Sequence, residues 1–424
     1  MVTLKHRDVL INYVEDAVEK FTTLYLEKCE DGFPQDVAKK ICLHEVSSAV
    51  IAKLEDEREL QSSVSRMIQS ENGSSSFNPN VIAQKLINKG FVTGSGEIAV
   101  SWLEKVLDTK QAAGISVMAI WGVRVDRAVR LGNRVLLVPI NELPDSYQKR
   151  WLLETDWLQS KVNSVSSPFM EAPTAALMVD AVVEPLFIDI GNNTKPNNTW
   201  ELNQELLDDA RLGLSMLGPC APLQAYSWFN FVDSDIAEAQ LGAARSSTHI
   251  EIMPLRIAES GPLDVDLASS LVGKYLSLEG NDKQRLKLAL DRLNQGLRRF
   301  KPGDQAMEIS IALETLLADG GTENTYKIGL RAAILLGGDG EAMLRNRAIV
   351  GGAYVMRSAL VHSGAVPTEI KVPRLGKLPA CEVARRAASI CSEVIQKIII
   401  RGHIPEWFEY ELRPCEESMS LKIS

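Results

Sequence analysis

The chain has 424 residues, with 46 Lys+Arg against 55 Asp+Glu, a net charge of −9, and 45% hydrophobic and 24% charged residues. That length exceeds one ordinary core and predicts two or three domains, while the composition excludes a disordered or fibrous protein. The longest apolar runs, such as 175–183, fall short of a membrane span, and no basic segment followed by an apolar one opens the sequence.

Six cysteines are scattered without a CxxC pair and five histidines are equally dispersed. They read as free thiols in a reducing compartment, with no zinc site. The expectation is a cytoplasmic protein that uses no metal and no cofactor.

Apolar residues at three-to-four spacing predict an amphipathic helix over 4–28. A second is expected after Phe33-Pro34-Gln35-Asp36, continuing to about Gln69. The Ser/Asn/Gly-rich stretch 70–80 reads as a loop, and shorter helices follow at 81–88 and 97–109. The lone GxG at Gly94 and Gly96 is too short for a phosphate loop and reads as an ordinary turn. The period then changes, and β-branched runs at 115–125 and 134–140 predict two strands around a turn at 131–133. Ser146 caps a helix carrying Trp151 and Trp157. Residues 165–260 look β-rich, with strands at 175–188, 225–232 and 249–257. A helix at 201–216 interrupts them, and 192–198 is a surface loop.

From 263 the pattern is helical throughout. Asp282 opens a helix to Phe300, Asp304 opens the next to about Ala318, and further helices are expected at 323–336, 340–363 and 380–401. Five helices with short connections make an α-bundle. The fold class is therefore multidomain α+β. The expected regions are a mixed α/β segment 1–160, a β-rich segment 161–262, a helical bundle 263–402 and an acidic tail 403–424.

Charge is unevenly divided. Residues 281–402 hold 19 Lys+Arg and 12 Asp+Glu, a balance of +7, whereas 1–280 carry −13 and 403–424 carry −3. A basic segment in an acidic protein is what a phosphate-binding module shows, and it is equally what a solvated helical surface shows.

Inside this basic segment, Arg357-Ser-Ala-Leu-Val-His362 closes an apolar run that stops at Ser363-Gly364 with Pro367 beyond, which predicts a helix end. A histidine can move the proton of an attacking 2′-hydroxyl, and a guanidinium can hold the charge that builds on phosphorus. At 100° per residue, Arg357 lies about 140° around the helix from His362, so one helix does not easily aim both at one phosphate. Two copies facing across a two-fold axis can. Without further context, such a pair is a surface ion pair and a cap. Glu314 falls in an otherwise apolar helix, as does Arg331, and a Glu314–Arg331 pair tying two helices together is the economical account. Tyr354 reads first as a core residue, and second as a residue of a dimer seam or substrate contact.

The motif has a neighbourhood. Upstream come 288–300, then Ile309-Ser-Ile-Ala-Leu-Glu-Thr-Leu-Leu317, then Ile328-Gly-Leu-Arg-Ala-Ala-Ile-Leu-Leu336, and finally Ala353-Tyr-Val-Met-Arg-Ser-Ala-Leu-Val-His362. This succession resembles the HEPN superfamily, and within it the ApeA-like HEPN domains, over about a third of the chain. The resemblance implies a helical bundle that dimerises around a composite cleft and cleaves RNA without a metal. Arg357 and His362 would be catalytic, with Ser358, Glu314, Arg331 and Tyr354 supporting the site. Many catalytic members carry Asn, Asp or His where this chain has Ser358.

The family's usual settings imply a toxin or anti-phage effector whose substrate is RNA. They also imply an antitoxin or trigger protein as partner, with residues 1–262 as sensor or regulator. The alternative is a non-catalytic HEPN-like module for dimerisation or RNA binding.

Overall fold

The computed structural model describes residues 4–57, 60, 66–153, 172–189, 199–218, 220–240, 262–319 and 324–412. In chain order, the elements begin with α1 (Arg7–Glu30), α2 (Gln35–Val46), α3 (Ser48–Glu55), β1 (Arg66–Ser70), β2 (Gly73–Ser76), α4 (Pro79–Thr93) and α5 (Gly96–Asp108). There follow β3 (Ala112–Trp121), β4 (Val129–Leu131), β5 (Val135–Pro139), α6 (Tyr147–Leu153), β6 (Ala175–Val183), β7 (Phe187–Asp189), α7 (Thr199–Leu214), β8 (Leu223–Phe231) and α8 (Ser234–Ala239). The remainder is α9 (Val265–Leu276), α10 (Gly280–Arg298), α11 (Pro302–Leu317), α12 (Asn324–Leu336), α13 (Gly340–Ser363), β9 (Glu369–Val372), β10 (Gly376–Pro379), α14 (Ala380–Arg401) and α15 (Trp407–Leu412). The protein is mixed α+β, with sheets in its N-terminal region and a helical C-terminal region.

Two units divide the chain. One is Met1–Val117, Asp180–Asn203 and Trp228–Ser247, and the other is Met118–Val179, Gln204–Ser227 and Thr248–Ser424. Among the described residues, the divisions fall within β3, β6, α7 and β8. No periodicity marks a boundary inside a strand, because the strand's pattern runs through it unbroken.

In the first unit, Leu10, Val14, Ala17 and Phe21 line one side of α1. They are buried in one core with Ile82 and Leu86 of α4 and Val100 and Leu103 of α5. Asn78 caps α4 by accepting from the Val81 amide at 3.1 Å, and Gly94 ends it in the left-handed conformation. The GxG is thus a helix stop followed by the Ser95 cap of α5, as an ordinary turn should be.

The long helix expected up to Gln69 is not formed. The helical path ends at Glu55, and Arg66–Ser70 is a strand pairing antiparallel with β2 and with β7, more than a hundred residues on. Residues 73–76, expected as loop, are its hairpin partner. The run expected at 175–188 is two strands, β6 and β7, separated at 184–186. The expected strand at 249–257, the loop at 192–198 and Trp157 lie outside the described residues. The Ser146 cap is present, its hydroxyl accepting from the Lys149 amide at 3.1 Å.

A five-stranded sheet has the order β4-β5-β6-β3-β8. In the second unit, α10 to α14 pack around one core that includes Leu286, Leu290, Leu313, Leu316, Val350, Cys391 and Ile398. Burying each large apolar side chain contributes about 1.5–3 kcal/mol. This bundle is not wholly helical, because β9 and β10 form an antiparallel hairpin between α13 and α14. Two glycines permit close approaches here. A Cβ on Gly352 would stand 3.1 Å from Val383 and 3.3 Å from Val372, and one on Gly303 would stand 2.6 Å from Val366. The segment that follows His362 is thereby drawn against α11. Part of the expected acidic tail also belongs to the fold, since α15 packs with Trp407 buried in the same core. Among the described residues, no helix is long and apolar enough to cross a membrane.

Candidate functional site

Helix α13 begins where Asp339 accepts the Ala342 amide at 2.7 Å. It ends where Gly364 adopts the left-handed conformation, with its N–H donating to the Leu360 carbonyl at 2.9 Å. The Ser363 hydroxyl donates to the Ala359 carbonyl at 2.6 Å. The expected stop signal therefore operates as read, and His362 occupies the last turn, where the carbonyl end of the helix dipole lies.

Arg357 and His362 leave α13 in different directions. The Arg357 side chain is 30% exposed and turns toward α11, where its Nη1 donates to the Glu314 carboxylate. Its guanidinium also lies 5.7 Å from the centre of the Tyr354 ring. His362 is exposed, as is Ser358, for which no hydrogen-bond partner occurs among the described residues. This divergence follows from the helical spacing.

Tyr354 is buried, and its hydroxyl donates to the Ser310 carbonyl at 3.3 Å. Burial pushes its pKa well above the usual phenolic range, and the nearby Glu314 carboxylate adds to the effect. Its primary expected place, in the core, is where it stands. Its ring also forms one wall beside Arg357.

The expected Glu314–Arg331 pair is absent, because Glu314 is taken by Arg357. Arg331 is 1% exposed. Its Nη1 donates to the Leu317 carbonyl at 2.6 Å, its Nη2 to Asp319 at 2.6 Å and its Nε to Glu411 at 2.5 Å. Burial opposes its charge, but the hydrogen bonds to Asp319 and Glu411 outweigh that cost and raise its pKa. The guanidinium lies over the Trp407 ring, whose Nε1 donates to the Leu316 carbonyl at 3.0 Å. Arg331 thus binds α15 to the end of α11, apart from the Glu314–Arg357 pair. Sequence spacing could not reveal Glu411, which is 80 residues from Arg331. The local signal was the aromatic cluster Trp407, Phe408 and Tyr410 in an acidic tail, which does not single out Glu411 from Glu406 and Glu409.

Other reactive groups are poorly placed for chemistry. Burial pushes the Cys220 and Cys391 thiols up to about 12, leaving them protonated and inert near neutrality. Among the described residues, no group of three or more His, Cys, Asp and Glu side chains is placed to hold a metal ion. Comparison with known proteins finds no matching family model, no matching curated protein and no matching solved structure.

Proposed function

We propose that this protein is a metal-independent endoribonuclease of the HEPN type, acting as an RNA-cleaving toxin or anti-phage effector, with the first 262 residues as sensor or regulator. The observation that carries the reading is the end of α13. An accessible imidazole stands in its last turn, and five residues earlier a guanidinium is held by a carboxylate and an aromatic ring. His362 would take the proton from a 2′-hydroxyl and return a proton to the leaving 5′-oxygen. Arg357 uses one donor on Glu314, and its remaining N–H groups can meet the charge developing on the phosphorane.

The exposed face of α13 supports a paired arrangement. Val355 is 55% exposed and Val361 59% exposed, beside Ser358 and His362. A two-fold axis along this face would cover both valines and bring Arg357 of one copy toward His362 of the other. Sedimentation at micromolar concentration is expected to show a dimer, and a monomer still active on RNA would contradict this. An overexpression growth assay tests the activity: wild type should arrest growth and His362→Ala should not.

One observation favours the non-catalytic alternative, a dimerisation or RNA-binding module. Glu314 already neutralises Arg357, as it would in a purely structural ion pair. Equal toxicity of wild type and His362→Ala, or no toxicity from either, would favour that reading.

A further inference from the structure

The β9–β10 hairpin carries a charge arrangement that does not serve its own stability. Its inner face is apolar, with Ile370 and Val372 buried. On its outer face, Lys371 and Lys377 are direct cross-strand partners, and both are exposed. Like charges set directly opposite one another destabilise a two-strand ladder. The compensation is slight. Lys377 lies 3.8 Å from Glu369, an exposed pair of the kind that contributes little. Lys371 has no acidic partner among the described residues.

The hairpin's tip adds a third cation. Arg374 has a φ of +67° and is the only non-glycine residue with positive φ among the described residues. A side chain in this region is strained, and such strain tends to persist where the position is functionally required. Arg374 meets only Glu341, at 3.1 Å, with both side chains more than half exposed. Six residues separate His362 from Glu369, so the base of the hairpin lies within about 25 Å of the imidazole.

We propose that the outer face of this hairpin, formed by Lys371 and Lys377 with Arg374 at the tip, is a phosphate-contact surface that holds the backbone of the RNA strand presented to His362. Two facing ammonium groups repel each other until an anion lies between them, so a phosphate relieves the repulsion that the fold tolerates. The two exposed carboxylates are weak competitors, because surface pairs exchange readily for a phosphate. These contacts are with the backbone, so they position the strand and carry no base preference. The proposal rests on the nuclease reading for its ligand but not on the identity of the proton-transfer group.

The test measures binding of a fluorescein-labelled oligouridine to the full chain carrying His362→Ala, which keeps the probe intact. Salt is varied, and the chain is compared with and without Lys371→Ser and Lys377→Ser. Losing two phosphate contacts should lower the slope of log K against log salt by about 1.4 and weaken binding about tenfold at 0.1 M salt. Lys20→Ser with Lys40→Ser, which removes the same charge from exposed positions on α1 and α2, should change neither. Both lysines of the hairpin are exposed and mutually repelling, so the double variant should melt no lower than its parent. If the parent binds oligouridine and the hairpin variant binds with equal affinity and slope, the hairpin proposal is overturned and the nuclease reading stands. If the lysine control weakens binding as much as the hairpin variant, the effect is net charge and the proposal is again overturned. If the parent binds no RNA, both the proposal and the reading beneath it fall.

Discussion

Replacing His362 with Ala should reduce RNA cleavage by about 10²–10⁴-fold while leaving the fold unchanged. The fold should be unchanged because His362 is exposed in the last turn of α13, which Asp339, Gly364 and Ser363 hold without it. RNA affinity should fall little, since affinity comes mainly from phosphate contacts over a wider basic surface. Arg357→Ala should also abolish cleavage, and Arg357→Lys should not rescue it fully, because an ammonium lacks the planar fork that can hold Glu314 and a phosphate together. Circular dichroism and a single-turnover cleavage assay on the same samples separate loss of chemistry from loss of structure. Both variants cutting RNA at near wild-type rates would remove the motif from the mechanism.

The largest effect on stability is expected at Arg331. Glu411→Gln leaves a fully buried guanidinium with a single carboxylate, Asp319, and adding Asp319→Asn leaves it with none. Breaking a buried pair from one side costs about 3–5 kcal/mol. Asp319 and Glu411 are themselves partly exposed, so about 3 kcal/mol is the appropriate figure for the double variant. Hydrogen exchange reads this locally. Amides of α15 and the adjoining end of α11 should exchange about a hundredfold faster, at about 1.4 kcal/mol per tenfold. Adding Arg331→Met removes the stranded charge and should recover much of the protection. Unchanged exchange in α15 would show that Trp407, not the ion network, holds that helix.

What could be read from the sequence depended on how far apart the cooperating residues lie. Helix α13 was legible from its local stop signal, and so was the divergence of Arg357 and His362, since both follow from spacing within one element. Tyr354 was legible as a core residue for the same reason. The Glu314 pairing was misjudged because two cations, Arg331 and Arg357, lay within plausible reach of one carboxylate, and only packing chooses between them. Strand β1 was hidden because Arg66–Ser70 lacks apolar/polar alternation, its hairpin partner β2 lies in a Ser/Gly-rich stretch that reads as loop, and its other partner, β7, lies more than a hundred residues on. The β9–β10 hairpin did have a local signature. Ile370 and Val372 alternate with Lys371, followed by Pro373 and Gly376 as turn residues. The helical reading of everything after 263 passed over it.

The central claim is that Arg357 and His362 cut RNA through its own 2′-hydroxyl. The purified protein should be incubated with a defined RNA in EDTA and the ends of the products determined. Attack by the 2′-hydroxyl should leave 2′,3′-cyclic phosphates and 5′-hydroxyls, undiminished by chelator and absent with His362→Ala. Cleavage that disappears in EDTA and returns with magnesium or manganese, or that leaves 5′-phosphates, would contradict it.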